Sequence, residues 1–229
     1  MRSKDDKRIG LVGGSIERRL ATSKVPPIDC ARVLAPFRVE ADRDAFRDFT
    51  TSAPLEVEVG FGRAHHLLAL SSQASDVHVL GFETRREWCR LAARRAERQG
   101  LGNVRVVEGD ARPFLEQLVD ADTVRRVHIL FPDPWWKRRH HKRRVFCAPW
   151  LTLLWRLLEP GGALVAKTDV PAYADLMERS VAHHGGFRLA GTHSGDSALV
   201  QLPRSHREKK CADTRIPVYA FHYVKELPR

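Results

Sequence analysis

The chain has 229 residues, 43% of them hydrophobic, which is enough for one large packed domain and excludes wholesale disorder. No run approaches the roughly 18 apolar residues of a membrane helix, and the opening MRSKDDKRIG lacks the apolar segment of a secretory signal, so a cytoplasmic location is expected. The formal charge of +11 points to a polyanionic partner, most simply a nucleic acid.

Residues 1–50 are mixed and weakly periodic, and are expected to form a partly flexible N-terminal extension ahead of one domain over residues 51–229. From Leu55, LEVEVGFG alternates apolar and polar residues and predicts a strand running into a glycine turn; HHLLALSSQ predicts a short helix. VHVLGFE (77–83) predicts a second strand. REWCRLAARRAERQG (86–100) predicts a helix, with Trp88, Leu91 and Ala92 on one face and Gly100 just past its end. NVRVVEGDA (103–111) and VRRVHILFPDP (124–134) predict a third and fourth strand, the latter stopped by proline. APWLTLLWRLLEPGG predicts an apolar helix ended by Pro-Gly-Gly, with Trp150 and Trp155 in the core. ALVAKTD (163–169) predicts a fifth strand, YADLMERSVAHHGG a helix, and FRLAGTHSG and VYAFHYVK two late strands. This alternation calls for an α/β fold with a mostly parallel seven-stranded sheet, helices on both faces, and ligands at the strand C-termini.

The four cysteines, at 30, 89, 147 and 211, form no C-x-x-C pair, which argues against a zinc knuckle or a disulfide framework. Cys89 and Cys147 are expected to be small core residues. The His65–His66 and His140–His141 pairs have no Cys or acid at ligand spacing, so no metal is expected.

Five predicted strands end in an acid or a glycine turn: Gly60-Phe61-Gly62, Glu83, Asp110, Asp133 and Asp169. Gly60 and Gly62 let a backbone approach a ligand, Glu83 is spaced to accept ribose hydroxyls, and Asp110 to accept from an adenine amino group. That set suits an adenosine-containing cofactor. Two details favour S-adenosylmethionine over a nicotinamide dinucleotide. His65 stands where G-x-G-x-x-G has its third glycine, and Glu58, pointing to the same crevice, repels phosphate but tolerates a sulfonium and its ammonium group.

The stretch FPDPWWKRRHHKRR (131–144) sets a proline-flanked acid and two tryptophans beside eight consecutive Lys, Arg or His residues, and carries +5 of the net charge. RSHREKK (204–210) carries a further +3. The long stretch resembles the motif FPDPW-x-K-x-R-H-x-K-R-R of bacterial tRNA (guanine-N7-)-methyltransferases, and the similarity extends over roughly residues 55–223. The resemblance implies a Rossmann-like class I methyltransferase fold, S-adenosylmethionine as cofactor, tRNA as partner, and methylation of guanine 46 in the variable loop. It implies cofactor contacts at Glu58, Glu83, Asp110 and Asp133, with Asp133 at the active centre and substrate contacts at Lys137 and Asp169. The family's T-x-Y-E loop aligns with Ser205, His206, Arg207 and Glu208, where Ser replaces Thr and Arg replaces the aromatic. Ala64 replaces a glycine common in the family's cofactor turn.

The chemistry suits these residues. Guanine N7 presents a lone pair at neutral pH, so alignment matters more than a general base. Asp133 is expected to stabilise the positive charge arriving on the purine. Asp169 and Glu208 are expected to accept from guanine N1 and its exocyclic amino group. Trp135 and Trp136 are read either as anchors of the turn or as stacking platforms for an unpaired base. The basic run is expected to hold tRNA phosphates. Rival readings are a tRNA-binding module without catalysis, an amino-directed nucleic-acid methyltransferase and a nicotinamide oxidoreductase. Both a monomer and a homodimer are compatible with the sequence.

Overall fold

A computed structural model of the chain describes residues 33–34, 43–192, 199 and 201–226. Most of the segment read as an extension, Cys30 and the end of FRLAGTHSG lie outside these residues.

The described strands are β1 (Val33–Leu34), β2 (Leu55–Val59), β3 (His78–Glu83), β4 (Val104–Glu108), β5 (Val124–Leu130), β6 (Leu158–Thr168), β7 (Phe187–Thr192) and β8 (Tyr219–Lys225). They form one sheet in the order β1-β4-β3-β2-β5-β6-β8-β7. The first six pair parallel with one another, and β8 runs antiparallel to both β6 and β7. The seven predicted strands are all present; β1 is a two-residue addition at the edge.

After the edge strand β1, the chain enters the middle of the sheet at β2, builds outward through β3 and β4, then returns to β5 on the other side. Right-handed crossovers therefore place α2 (His65–Gln73) and α3 (Arg86–Arg98) on one face. The other face receives α4 (Ala111–Leu118), α5 (Ala148–Leu157) and α6 (Pro171–His184). There Phe114, Leu115, Trp150, Leu151, Leu154, Tyr173 and Met177 pack with Leu55, Val57, Val127, Ile129 and Leu164 in the main core. An earlier helix, α1 (Arg43–Thr51), adds Phe46 and Phe49 to the same core, so the packed unit reaches back before residue 51.

The sheet residues of opposite parity behave differently. Glu56 and Glu58 on β2, His128 on β5 and Lys167 on β6 are all buried, and the sequence reading did not anticipate a polar interior on this face.

Two helix boundaries depart from expectation. α5 stops at Leu157, and Glu159-Pro160-Gly161-Gly162 forms an irregular start to β6 instead of a helix end. A residue preceding proline is driven out of the helical region, which ends the helix before the Pro-Gly-Gly rather than at it. α4 and α7 (His206–Asp213) were not expected at all. Trp150 is buried, whereas Trp155 is only half-buried, with its indole N–H donating to the Glu226 carbonyl at 3.1 Å. Cys89 is fully buried; Cys147 is half-buried at the start of α5.

Candidate active site

The strand order reverses between β2 and β5, and the C-terminal ends of the parallel strands line one edge around that point. Register fixes the neighbours: Glu83 lies opposite Glu108, Val59 opposite both Phe82 and Ile129, and Leu130 opposite Lys167. The expected site residues therefore fall along one line, in the order Asp110, Glu83, Gly60, Asp133, Asp169.

After β2 the backbone turns through three left-handed residues, Gly60 (φ 77°), Gly62 (φ 52°) and Ala64 (φ 57°). The two glycines adopt this conformation without strain and have open space where a side chain would stand. Ala64 pays the steric penalty of that conformation, about 1–2 kcal/mol. Its departure from a glycine thus leaves the turn's shape intact. The Gly62 amide donates to Glu83 Oε2 at 3.0 Å and the Arg85 amide donates to Oε1 at 2.9 Å, so the Glu83 carboxylate is held by backbone on two sides. Asp110 caps α4 by accepting from the Arg112 amide at 3.1 Å and pairs with the Arg112 guanidinium at 2.8 Å. These bonds outweigh burial and draw its carboxyl below the usual range.

Glu58 is the outlier. It is fully buried, its Oε2 has no hydrogen-bond partner, and burial together with the nearby Glu83 pushes its carboxyl up to about 8. A lone buried acid is costly unless a cation meets it. An orphaned carboxyl beside an open glycine turn and a fixed carboxylate fits a cationic, ribose-bearing ligand.

On the far side of the switch point, Phe131 (φ 54°) and Trp135 (φ 46°) are left-handed and bracket Pro132-Asp133-Pro134. Strain of this kind, of order 1–3 kcal/mol per residue, survives only where surrounding contacts impose it. The Phe131 amide donates to the Lys167 carbonyl at 2.7 Å, and Arg144 Nε donates to the Pro134 carbonyl at 2.9 Å. Asp133 is exposed, and among the described residues no hydrogen bond or ion pair engages its carboxylate. The basic run forms a 3-10 turn, Arg138–Arg143, that folds back on the tryptophans. Arg143 lies 5.0 Å from the centroid of Trp135 and Arg144 5.7 Å from that of Trp136. The tryptophans thus hold two of the arginines by cation–π contact, while Lys137, Arg138, Arg139 and Lys142 stay exposed.

At the end of β6, two ion pairs tie the edge to α7. Lys167, buried, meets Glu208 at 2.9 and 3.1 Å, and Arg207 Nε donates to Asp169 Oδ2 at 3.0 Å. Ser205 and Glu208 form a reciprocal capping box at the start of α7. His206 sets its ring 5.3 Å from that of His65, next to the glycine turn. The structure therefore gathers Ser205, His206, Arg207 and Glu208 at the edge that carries Asp169, and both expected guanine acceptors already hold a cation of this chain.

A family model described as "Putative methyltransferase" matches residues 52–220. A tRNA (guanine-N(7)-)-methyltransferase of Myxococcus xanthus is 39% identical over 81% of this chain and 90% of its own length. Another, of Treponema pallidum, is 39% identical over 80% of this chain and 71% of its own. The chain belongs to the tRNA (guanine-N(7)-)-methyltransferase family. Solved structures share the fold at lower identity. A 16S rRNA methyltransferase, KamB, superposes with a TM-score of 0.59 at 17% identity, covering 82% of this chain and 94% of that one. A SAM-dependent O-methyltransferase from Thermotoga maritima gives 0.55 at 16%, covering 86% and 68%.

Within this methyltransferase, sequence reasoning missed Lys167, Arg112 and the buried trio Glu56, His66 and His128. Lys167 did stand in the quoted KTD, and S-x-x-E at 205–208 announced a helix start. The trio had no comparable signal, because its members lie on three separate elements. Among the described residues, no group of three or more His, Cys, Asp or Glu is arranged to hold a metal, and no helix is long and apolar enough to cross a membrane.

Proposed function

We propose that this protein transfers a methyl group from S-adenosylmethionine to N7 of a guanine in the variable loop of cytoplasmic tRNA. The observation that carries the reading is the adjacency of two unlike sites: an orphaned acid beside a glycine turn on β2, and a strained carboxylate turn on β5. When bound, S-adenosylmethionine supplies an electrophilic methyl group on a sulfonium. Glu58 then meets the cationic end of the ligand, Glu83 accepts from ribose hydroxyls, and Asp110 accepts from the adenine amino group. Gly60 and Gly62 let the backbone lie against it.

The base enters over β5 and β6. Asp169 and Glu208 receive its Watson–Crick donors, which turns N7, on the opposite edge of the purine, towards β2. Asp133 faces the ring as it becomes cationic and stabilises that charge without taking a proton. Lys137 and the exposed arginines after it bind phosphates and bring the loop to the edge. Transfer of labelled methyl groups to unmodified tRNA, followed by nucleoside analysis, tests the proposal. 7-Methylguanosine is expected; a different methylated nucleoside, or none, overturns it.

Two predictions arise from the substrate side. Replacing Arg138 and Arg139 with alanine is expected to flatten the plot of log affinity for tRNA against log salt by about one to two. These residues are exposed, and Arg139 reaches the turn only through its neighbour, donating from Nε to His140 Nε2 at 3.3 Å, so an unchanged slope would remove them from the phosphate path. Arg207→Ala is expected to lower the KM for tRNA by about two- to fivefold, the scale of one partly exposed ion pair. The Arg207 fork occupies Asp169 in the free enzyme and has to leave before guanine arrives. A raised KM would instead make Arg207 a direct contact with tRNA.

A further inference from the structure

Beneath the substrate edge, a file of polar groups crosses the interior. His66 Nδ1 lies 2.6 Å from the Pro203 carbonyl oxygen, and His66 Nε2 lies 3.2 Å from His128 Nδ1. His128 Nε2 lies 2.8 Å from Glu56 Oε2. All three side chains are buried: His66 is 1% exposed, His128 0% and Glu56 5%. None of them belongs to the site described above.

The protons can be counted. A carbonyl and a carboxylate only accept hydrogen bonds, so both ends of the file are acceptors. Three contacts in series need three protons, and two neutral imidazoles carry two. With neutral rings and an ionised Glu56, every choice of tautomers leaves at least one contact with two lone pairs facing each other. We infer that the file binds a third proton, shared along His66, His128 and Glu56, and that this proton fastens Pro203 to the sheet. Pro203 lies two residues before Ser205, which caps α7, and five before Glu208. The three side chains are therefore positioning residues for the substrate-side helix.

The surroundings set the sign. Arg126 on β5 stands 3.4 Å from Glu56 Oε1, with Arg125 beside it; Lys167 on β6 faces both rings and is itself paired with Glu208 on α7; His65 precedes His66 on α2. Burial, then the neighbouring cations, press the rings towards the neutral form, whereas Glu56 favours the proton on His128. The file is thus complete on the acid side and loses one contact as pH rises through its joint titration, which burial and the neighbouring cations draw below the ordinary histidine range. Solvent reaches it through a groove of about 340 Å³ where Glu56 meets Arg125, Arg126 and Gln201.

Glu56→Gln separates this account from simple packing. A glutamine amide donates to His128 Nε2, His128 Nδ1–H to His66, and His66 Nδ1–H to Pro203, so all three contacts are made with neutral rings. The experiment is amide hydrogen exchange at Glu208 and Lys209 in the ligand-free full chain across pH, with ¹⁵N imidazole spectra of His66 and His128. In the wild type, protection is expected to fall about fivefold as pH rises, the loss of one net hydrogen bond, while both rings report a single shared transition. In Glu56→Gln protection stays high throughout, and in His66→Leu it is low throughout. Equal pH dependence in the wild type and Glu56→Gln, or rings that titrate independently, would overturn the inference. Because the readout is exchange and not methylation, it stands or falls separately from the proposed reaction. If the reaction holds, the KM for tRNA follows the same pH profile and kcat does not.

Discussion

Asp133→Ala is expected to reduce methyl transfer by at least about a hundredfold while leaving cofactor binding largely intact. The scale is that of removing one preorganised electrostatic contact from a reaction centre. Asp133 suits that role because little in the fold depends on it. The carboxylate is exposed, the flanking prolines restrict its backbone, and the left-handed residues at 131 and 135 hold the turn against its own strain. Positive charge leaves a sulfonium and arrives on a purine, so a fixed negative group near the base gains interaction as the reaction proceeds. Single-turnover kinetics with labelled cofactor give the rate, and calorimetric titration with S-adenosylmethionine gives the affinity. Asp133→Asn sharpens the test, since it keeps the shape and removes the charge. Near-full activity in the asparagine variant would show that charge at this turn does not matter to the transfer.

The affinity for S-adenosylmethionine is expected to rise with pH up to about 8 and then level off. The Glu58 carboxyl is held at about 8 in the free protein by burial and by Glu83, so it is protonated at neutral pH. A cationic ligand favours the ionised form and binding expels the proton, which steepens the affinity by at most about tenfold per pH unit below the transition. Calorimetry in two buffers of different ionisation enthalpy measures the proton released. Glu58→Gln should bind more weakly and lose both the pH dependence and the buffer dependence; a glutamine variant that still releases a proton would assign it elsewhere. Stability carries the same group with a definite sign. The folded carboxyl is raised above its unfolded value of 4.5. Its contribution is therefore fully present below that value and lost as pH rises through about 8. Ligand-free Glu58→Gln should accordingly melt above the wild type near pH 9 and alongside it near pH 5.

Much of this site was legible before the structure, for a simple reason. Several strands here alternate apolar and polar residues, and ligand-facing groups in such folds gather at strand ends, so Glu83, Asp133 and Asp169 could be placed along one sheet edge by position alone. The helices were less legible where composition obscured the period. α4 reads ARPFLEQL, and its Pro113 resembles a breaker, although proline is tolerated in a first turn. α7 buries only Cys211 and so has almost no apolar stripe to reveal it.

By itself, the sequence determined the order of strands and helices, the glycine turn, the row of strand-end acids and the cationic stretch beside Asp133. These are local patterns, and each is set by residues within a few positions of one another. The tertiary structure alone decided that Glu58 is buried with its Oε2 unpartnered, that Lys167 and Arg207 occupy Glu208 and Asp169, and that His66, His128 and Glu56 touch. Burial and long-range pairing depend on which face each crossover helix covers. The contacting residues of the buried file are 62, 72 and 137 positions apart, well beyond the reach of any local period.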